Sequence, residues 1–250
     1  MEINQICDIA VEAGKAILDI YNDPGRSSVV DYKSDDSPLT LADEASHNII
    51  VAALAEAFPE IPVLSEEGEH IDLSTRRSWD KYWLIDPLDG TKEFINRNGE
   101  FTVNIALIEN RISVSGVVYV PVTDTLYLGS SLGAYKRNEK EIQIFVNNKA
   151  TGRIAVRSKS HASPEEDELY KQYDVRDFIS VGSSLKFCMV AEGKADLYYR
   201  HGPTMEWDTA AGQAVLEAAG GKVYHGNTSK TPFTYNKQEL LNGSFLCLGF

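Results

Sequence analysis

The sequence predicts a fold of α+β or layered α/β class, with an antiparallel sheet half over residues 1–150 and an α/β half over residues 151–250. Three observations point to it. Alternating apolar and polar segments at 102–109, 112–120, 125–130, 133–137 and 142–146 are separated by turn residues, the pattern of an antiparallel sheet. Beyond residue 150, strand-like and helix-like runs alternate. The chain also opens on a helical period, with Ile3, Ile6, Ile9, Ala10, Ala13, Ile17 and Ile20 on one side.

The elements follow in order. Asp23-Pro24-Gly25 breaks the first helix, and 27–32 reads as a short extended stretch. The polar segment 33–40, KSDDSPLT, is a loop. Thr40-x-x-Asp43 has the spacing of a capping box and opens a helix to about residue 58, which Pro59 and Pro62 end. A short apolar run at 61–64 leads into Ser65-Glu66-Glu67-Gly68. A second run, 79–85, stops at Asp86-Pro87-Leu88-Asp89-Gly90-Thr91. In the second half, strands are expected at 154–156, 178–181, 195–199, 222–224 and 245–248, and helices at 164–172, 185–192 and 209–219.

With 250 residues and 43% hydrophobic content the chain can bury a sizeable core. A net charge of −13 argues against binding a nucleic-acid polymer through a basic face. No apolar run approaches the ~20 residues of a membrane helix. An amphipathic first helix leaves two uses for its apolar face, core packing or the cytoplasmic face of an inner membrane. Three cysteines without framework spacing, Cys7, Cys188 and Cys247, suit a reducing cytoplasm.

Chemistry concentrates in WLIDPLDGTKEF. A carboxylate placed after a buried strand lies at the open end of the sheet, where ligands bind. Pro87 suits the first position of a turn, across which Asp86 and Asp89 converge; Gly90 allows close backbone approach, and Thr91 adds a hydroxyl. Asp208 is placed as the N-cap of an Ala-rich helix ended by Gly220-Gly221, and capping alone accounts for it. Glu66 and Glu67, read singly, are ordinary surface acids. Together, Glu66, Asp86, Asp89 and Asp208 form a hard oxygen donor set suited to Mg²⁺, because gathered carboxylates otherwise take up protons. Zinc spacing, a calcium loop and a Walker-type phosphate loop are absent.

These residues carry a resemblance. Glu66-Glu67, DPLDGT and WDTAAG resemble the inositol monophosphatase superfamily of lithium-sensitive, magnesium-dependent phosphatases, which implies an inositol-monophosphatase-like sugar-phosphatase fold. The blocks LSEE, YWLIDPLDGTKEFINRNGEFTVNIALI, GVVYVPV, SKSHA, GSSLKFCMVAEGKADLY and GPTMEWDTAAG narrow it to the CysQ family of 3′(2′),5′-bisphosphate nucleotidases of sulfur metabolism. That resemblance implies one Mg²⁺ on Glu66, Asp86 and the Leu88 carbonyl. A second would lie on Asp86, Asp89 and Asp208, and a third would be reached by Glu67 through water. It implies a Thr91–Asp43 pair that holds the attacking water, and a Lys33 loop over the metals. The 3′-phosphate would sit on Asp89-Gly90-Thr91, with Ser183, Ser184 and Lys186 toward the 5′-phosphate, and His161 and Arg200 as further nucleotide contacts.

The implied reaction is hydrolysis of adenosine 3′,5′-bisphosphate to AMP and phosphate. Inositol monophosphate or fructose 1,6-bisphosphate is the alternative substrate, and a noncatalytic acidic metal-binding protein the alternative class. The sequence leaves monomer and homodimer equally open.

Overall fold

The apolar period of the first residues folds as helix α1 (Glu2–Tyr21), followed by a single turn, α2 (Pro24–Ser27), capped by the Asp23 side chain. The computed structural model describes residues 2–32, 38–148, 151–158, 164–228 and 230–250. Strands β1 (Val30–Tyr32) and β2 (Pro38–Thr40) form a small antiparallel pair, and α3 (Leu41–Ala57) follows at once. The predicted capping box at its start is present: the Ala42 amide donates to Thr40 Oγ1, and the Thr40 amide donates to Asp43 Oδ2.

After β3 (Val63–Ser65) and the short α4 (Leu73–Arg76) comes β4 (Lys81–Asp89), then α5 (Thr91–Ile95). Strands β5 (Thr102–Glu109), β6 (Ile112–Val120), β7 (Thr125–Ser130), β8 (Gly133–Arg137) and β9 (Glu141–Ile144) complete a seven-stranded sheet ordered β3-β4-β5-β6-β7-β8-β9. Its first pair is parallel and every later pair antiparallel.

The second half runs β10 (Arg153–Arg157), α6 (Pro164–Gln172), β11 (Val175–Ser180), α7 (Leu185–Ala191) and β12 (Leu197–Arg200). It continues with β13 (Thr204–Met205), α8 (Trp207–Ala218), β14 (Lys222–His225), β15 (Thr231–Pro232), β16 (Leu241–Asn242) and β17 (Phe245–Leu248). Six of these strands form a mixed sheet ordered β11-β10-β12-β17-β14-β15, and β13 pairs with β16 beside it.

Five layers result. Helices α1 and α3 cover one face of the large sheet, burying Ile6, Ile17, Ile50 and Leu54 against Trp83, Ile105 and Val117. Helices α7 and α8 fill the space between the two sheets, with Phe187, Val190, Ala211 and Val215 against Leu84, Val118, Tyr198 and Phe245. Helix α6 covers the outer face of the second sheet through Leu169 and Tyr170. One core therefore spans both halves, because α8 is shared between their sheets.

Two glycines set the depth of α8. Gly116 on β6 pairs with Gly129 on β7. A Cβ at Gly129 would lie 2.5 Å from the Ala214 carbonyl oxygen, and one at Gly116 2.7 Å from that of Ala211. Only the missing side chains let the helix backbone rest on the sheet.

The apolar face of α1 is committed to the core, with Ile6, Ala10, Ala13, Ile17 and Ile20 buried. That removes the membrane-surface use of this face which the sequence left open. Among the described residues no helix is long and apolar enough to cross a membrane.

Candidate active site

The site is built at the end of β4, and a β-bulge makes it possible. In a regular strand, residues three apart face opposite sides of the sheet. Here Asp86 pairs with Asn104 and Asp89 with Thr102, so four residues of β4 oppose three of β5. The extra residue puts Asp86 and Asp89 on one face. The sequence predicts a strand ending at residue 85 and a turn around Pro87. Instead β4 continues to Asp89, and Pro87 occupies the bulge, where its missing N–H removes no ladder bond. Gly90 then takes a left-handed conformation (φ 94°) before α5, and a Cβ there would crowd the Glu100 carbonyl and Ser183.

Asp208 enters from α8. It is not the N-cap that the sequence predicts: Glu206 holds that position and Asp208 lies in the first turn, where its Oδ2 accepts the Met205 amide at 2.8 Å. Glu206 is fully buried and accepts from the Asn236 amide (2.7 Å), the Lys237 amide (3.0 Å) and the Lys237 ammonium (2.6 Å). A buried ion pair with every oxygen bonded costs little, and here it pins the start of the helix. Nothing in the spacing of the chain announces this contact, because its partners lie ~30 residues apart in sequence.

Glu66 and Glu67 sit in a turn closed by the Gly68 amide on the Ser65 carbonyl, and the Glu66 amide donates to the Ile85 carbonyl at 3.2 Å. Glu66, Asp86 and Asp208 offer oxygen atoms that all lie within 4.8 Å of one another. Asp89 stands beside this trio. Its Oδ2 lies 2.7 Å from Ser184 Oγ and 3.4 Å from the Asn104 amide nitrogen. Ser184 Oγ is also 2.8 Å from the Asp208 carbonyl oxygen, so its one proton has an acceptor on each of two acid-bearing segments, while the Asn104 side-chain NH₂ donates to it at 2.9 Å. The Ser184 hydroxyl is thus turned onto Asp89, while the expectation for this helix start concerned its N–H groups. Glu67 lies outside the close trio, and the Leu88 amide donates to Asp86 Oδ1 at 3.1 Å.

Asp43 serves two neighbours at once. Its Oδ2 accepts from the Thr40 amide (2.8 Å) and hydroxyl (2.6 Å), while Oδ1 accepts from Thr91 Oγ1 at 3.3 Å. The capping box thus orients the carboxylate toward Thr91.

Burial, with Glu66, Asp89, Asp208 and Asp43 around it, holds the Asp86 carboxyl well above the usual carboxylate range. Asp208 is raised by burial, Asp89 and Glu66, and the Met205 amide opposes this. Such a donor set, hard and electrostatically strained without a cation, suits a hard divalent metal ion. A raised carboxyl binds its proton more tightly folded than unfolded. Its contribution to stability is therefore greatest below the ordinary value near 4 and is lost as pH rises toward the folded value. We expect the metal-free protein to lose melting temperature over that window, and saturating Mg²⁺ to restore more of it at pH 8 than at pH 5. Thermal unfolding with and without Mg²⁺ checks this; a shift independent of pH would contradict it.

Beside the acids lies a cleft of 170 Å³ lined by Asp89, Gly90, Ser183, Lys186, Arg200 and Asp208, among others. Lys186 is buried, which pushes its ammonium down from the ordinary value while Asp89 pulls the other way. Ser183 has a positive φ of 42° and a buried hydroxyl with no partner among the described residues. Of the expected site residues, Glu66, Asp86 and Asp208 are brought together, Asp43 meets Thr91, and Ser183, Lys186 and Arg200 share the cleft. Lys33 and His161 lie outside the described residues.

The inositol monophosphatase family model matches residues 2–246. The 3′(2′),5′-bisphosphate nucleotidase CysQ of Escherichia coli K12 is 46% identical over 251 residues, covering 99% of this chain and 98% of that protein. The CysQ protein of Haemophilus influenzae is 36% identical, covering 99% and 92%. Among solved structures, CysQ from Bacteroides thetaiotaomicron superposes with a TM-score of 0.87 at 45% identity, covering 99% of this chain and 97% of that one. The Thermotoga maritima inositol monophosphatase shares the fold at a TM-score of 0.80 and 21% identity, covering 100% of this chain and 92% of that one.

Proposed function

This chain belongs to the inositol monophosphatase family, and we propose that it is a 3′(2′),5′-bisphosphate nucleotidase. Its substrate would be adenosine 3′,5′-bisphosphate, which it converts to AMP and phosphate, the by-product-clearing step that follows sulfate assimilation. The observation that supports this most is one cleft carrying both charges: Asp89 and Asp208 line it together with Lys186 and Arg200. A substrate with two separate phosphates fits such polarity, one phosphate toward the acids through metal ions and the other toward the cations.

Glu66, Asp86 and the Leu88 carbonyl would hold one Mg²⁺, and Asp86, Asp89 and Asp208 a second, with Glu67 reaching a third through water. When bound, these ions supply polarisation of water and neutralisation of phosphoryl charge. The chain's own part is geometric. Ser184 and Asn104 orient Asp89, the Met205 amide orients Asp208, and the bulge fixes Asp86. Thr91 donates its proton to Asp43, so its hydroxyl oxygen is left to accept a hydrogen from the attacking water, and Asp43 takes up the proton. Gly90 keeps the turn open for the 3′-phosphate. Lys186, Arg200 and the unpartnered Ser183 hydroxyl would bind the 5′-phosphate. Free, buried cysteines accord with a cytoplasmic setting.

Product analysis tests the reading: adenosine 3′,5′-bisphosphate should give 5′-AMP and phosphate, and accumulation of adenosine 3′-phosphate would refute the placement of the two phosphates. Lys186→Met should raise KM for the bisphosphate by roughly tenfold to a hundredfold, the range of a lost charge-assisted hydrogen bond. KM for 3′-AMP, which lacks the second phosphate, should change far less. Equal changes for both nucleotides in steady-state assays would remove Lys186 from the 5′-phosphate site.

A further inference from the structure

We propose that Ser46 and His47 are positioning residues, by which one face of α3 sets the separation between the two segments that carry Glu66 and Asp86. The proposal rests on the metal-binding role given to those acids. Asp43, Ser46 and His47 stand at i, i+3 and i+4, one side of the helix. Each reaches a different part of the site. Asp43 meets Thr91 at the start of α5. Ser46, fully buried, donates its hydroxyl to the Pro87 carbonyl at 2.7 Å, in the bulge between Asp86 and Asp89. His47 Nδ1 lies 2.8 Å from Ser65 Oγ, the residue before Glu66.

These bonds bear on places where the backbone has little other support. The bulge interrupts the ladder between Asp86 and Asp89, and Pro87 has no amide to donate. Its buried carbonyl needs a donor, which Ser46 supplies. The Ser65–Gly68 turn is tied to β4 by the Glu66 amide on the Ile85 carbonyl, and to α3 by His47 on Ser65 Oγ. The two anchors are neighbouring residues of one turn in a 17-residue helix, itself fixed by Ile50 and Leu54 in the core. A helix is stiff, so the two hydrogen bonds transmit its geometry to acids whose oxygens must stay within 4.8 Å. Groups that orient ligands in this way commonly change metal affinity by ~10–100-fold when removed.

The imidazole borders an open cleft shared with Val51, Val63 and His70, so trimming it leaves the core intact. Calorimetric titration of the purified full chain with Mg²⁺, in the absence of any nucleotide, provides the test. His47→Ala should weaken binding about tenfold, and His47→Asn, whose amide can still meet Ser65, should recover most of the loss. Ser65→Ala should reproduce the loss alone and add nothing when combined with His47→Ala. Ser46→Ala should weaken binding similarly while Ser46→Thr, which keeps the hydroxyl, does so less. Unchanged affinity in His47→Ala and Ser65→Ala, equal loss in His47→Asn, or additive losses in the double variant would overturn the proposal. If His47→Ala does not fold, Ser65→Ala decides. A wrong substrate assignment leaves this titration untouched, whereas a wild-type chain that binds no Mg²⁺ overturns the metal role and the positioning together.

Discussion

Asp86→Asn is expected to lower kcat by about a thousandfold or more, ~4 kcal/mol in barrier height, while the metal-free protein melts at a higher temperature than wild type. Asp86 is 1% exposed and has Glu66, Asp89, Asp208 and Asp43 as charged neighbours. The amide keeps the shape and removes a buried charge that only a cation offsets. Loss of a ligand and relief of repulsion then act in opposite directions on activity and stability. Steady-state kinetics and thermal unfolding without metal read both. A variant that is destabilised and inactive would indicate a merely structural role for Asp86. One that stays active would remove it from the metal site.

Gly129→Ala carries the second large effect. The new Cβ would meet the backbone of α8 at 2.5 Å, at both the Ala214 carbonyl oxygen and Val215 Cα, and a helix backbone cannot rotate away as a side chain can. Overpacking of this kind costs ~1–3 kcal/mol, a fall of about 2–12 °C in melting temperature for a chain this size. The displaced helix carries Asp208, so Mg²⁺ affinity should fall as well. Gly243→Ala, whose new Cβ would have nothing within 4 Å, is the control and should leave both unchanged. Equal behaviour of the two variants would show that α8 does not depend on the glycine pair.

How much of the molecule is legible in sequence follows from the range of the forces involved. The helices α1 and α3 and the meander β5–β9 are local patterns, set by apolar periodicity, a capping box and turn residues, and the structure has them in place. The bulge at Pro87 reads as a turn in sequence, because the register that defines it exists only once β5 is paired to β4. Asp208 reads as an N-cap because Asp is a favoured capping residue, yet Glu206, buried against Lys237, takes that position through a contact far along the chain. The sequence draws notice to the N–H groups at the Ser184 helix start and not to its hydroxyl, which lies beside both Asp89 and the Asp208 carbonyl. The shared pattern is that acid residue types are visible in sequence, while the neutral residues that aim them are not. Asn104, Ser46 and His47 have no motif; only folding puts them beside the acids.

A cleft lined by both acids and cations should select a nucleotide with two phosphates. The decisive comparison is kcat/KM for adenosine 3′,5′-bisphosphate and for inositol 1-phosphate, measured side by side on the same Mg²⁺-loaded protein. The bisphosphate should be preferred by at least a hundredfold, about the worth of two charge-assisted contacts at Lys186 and Arg200. Equal values, or a preference for inositol 1-phosphate, would contradict it.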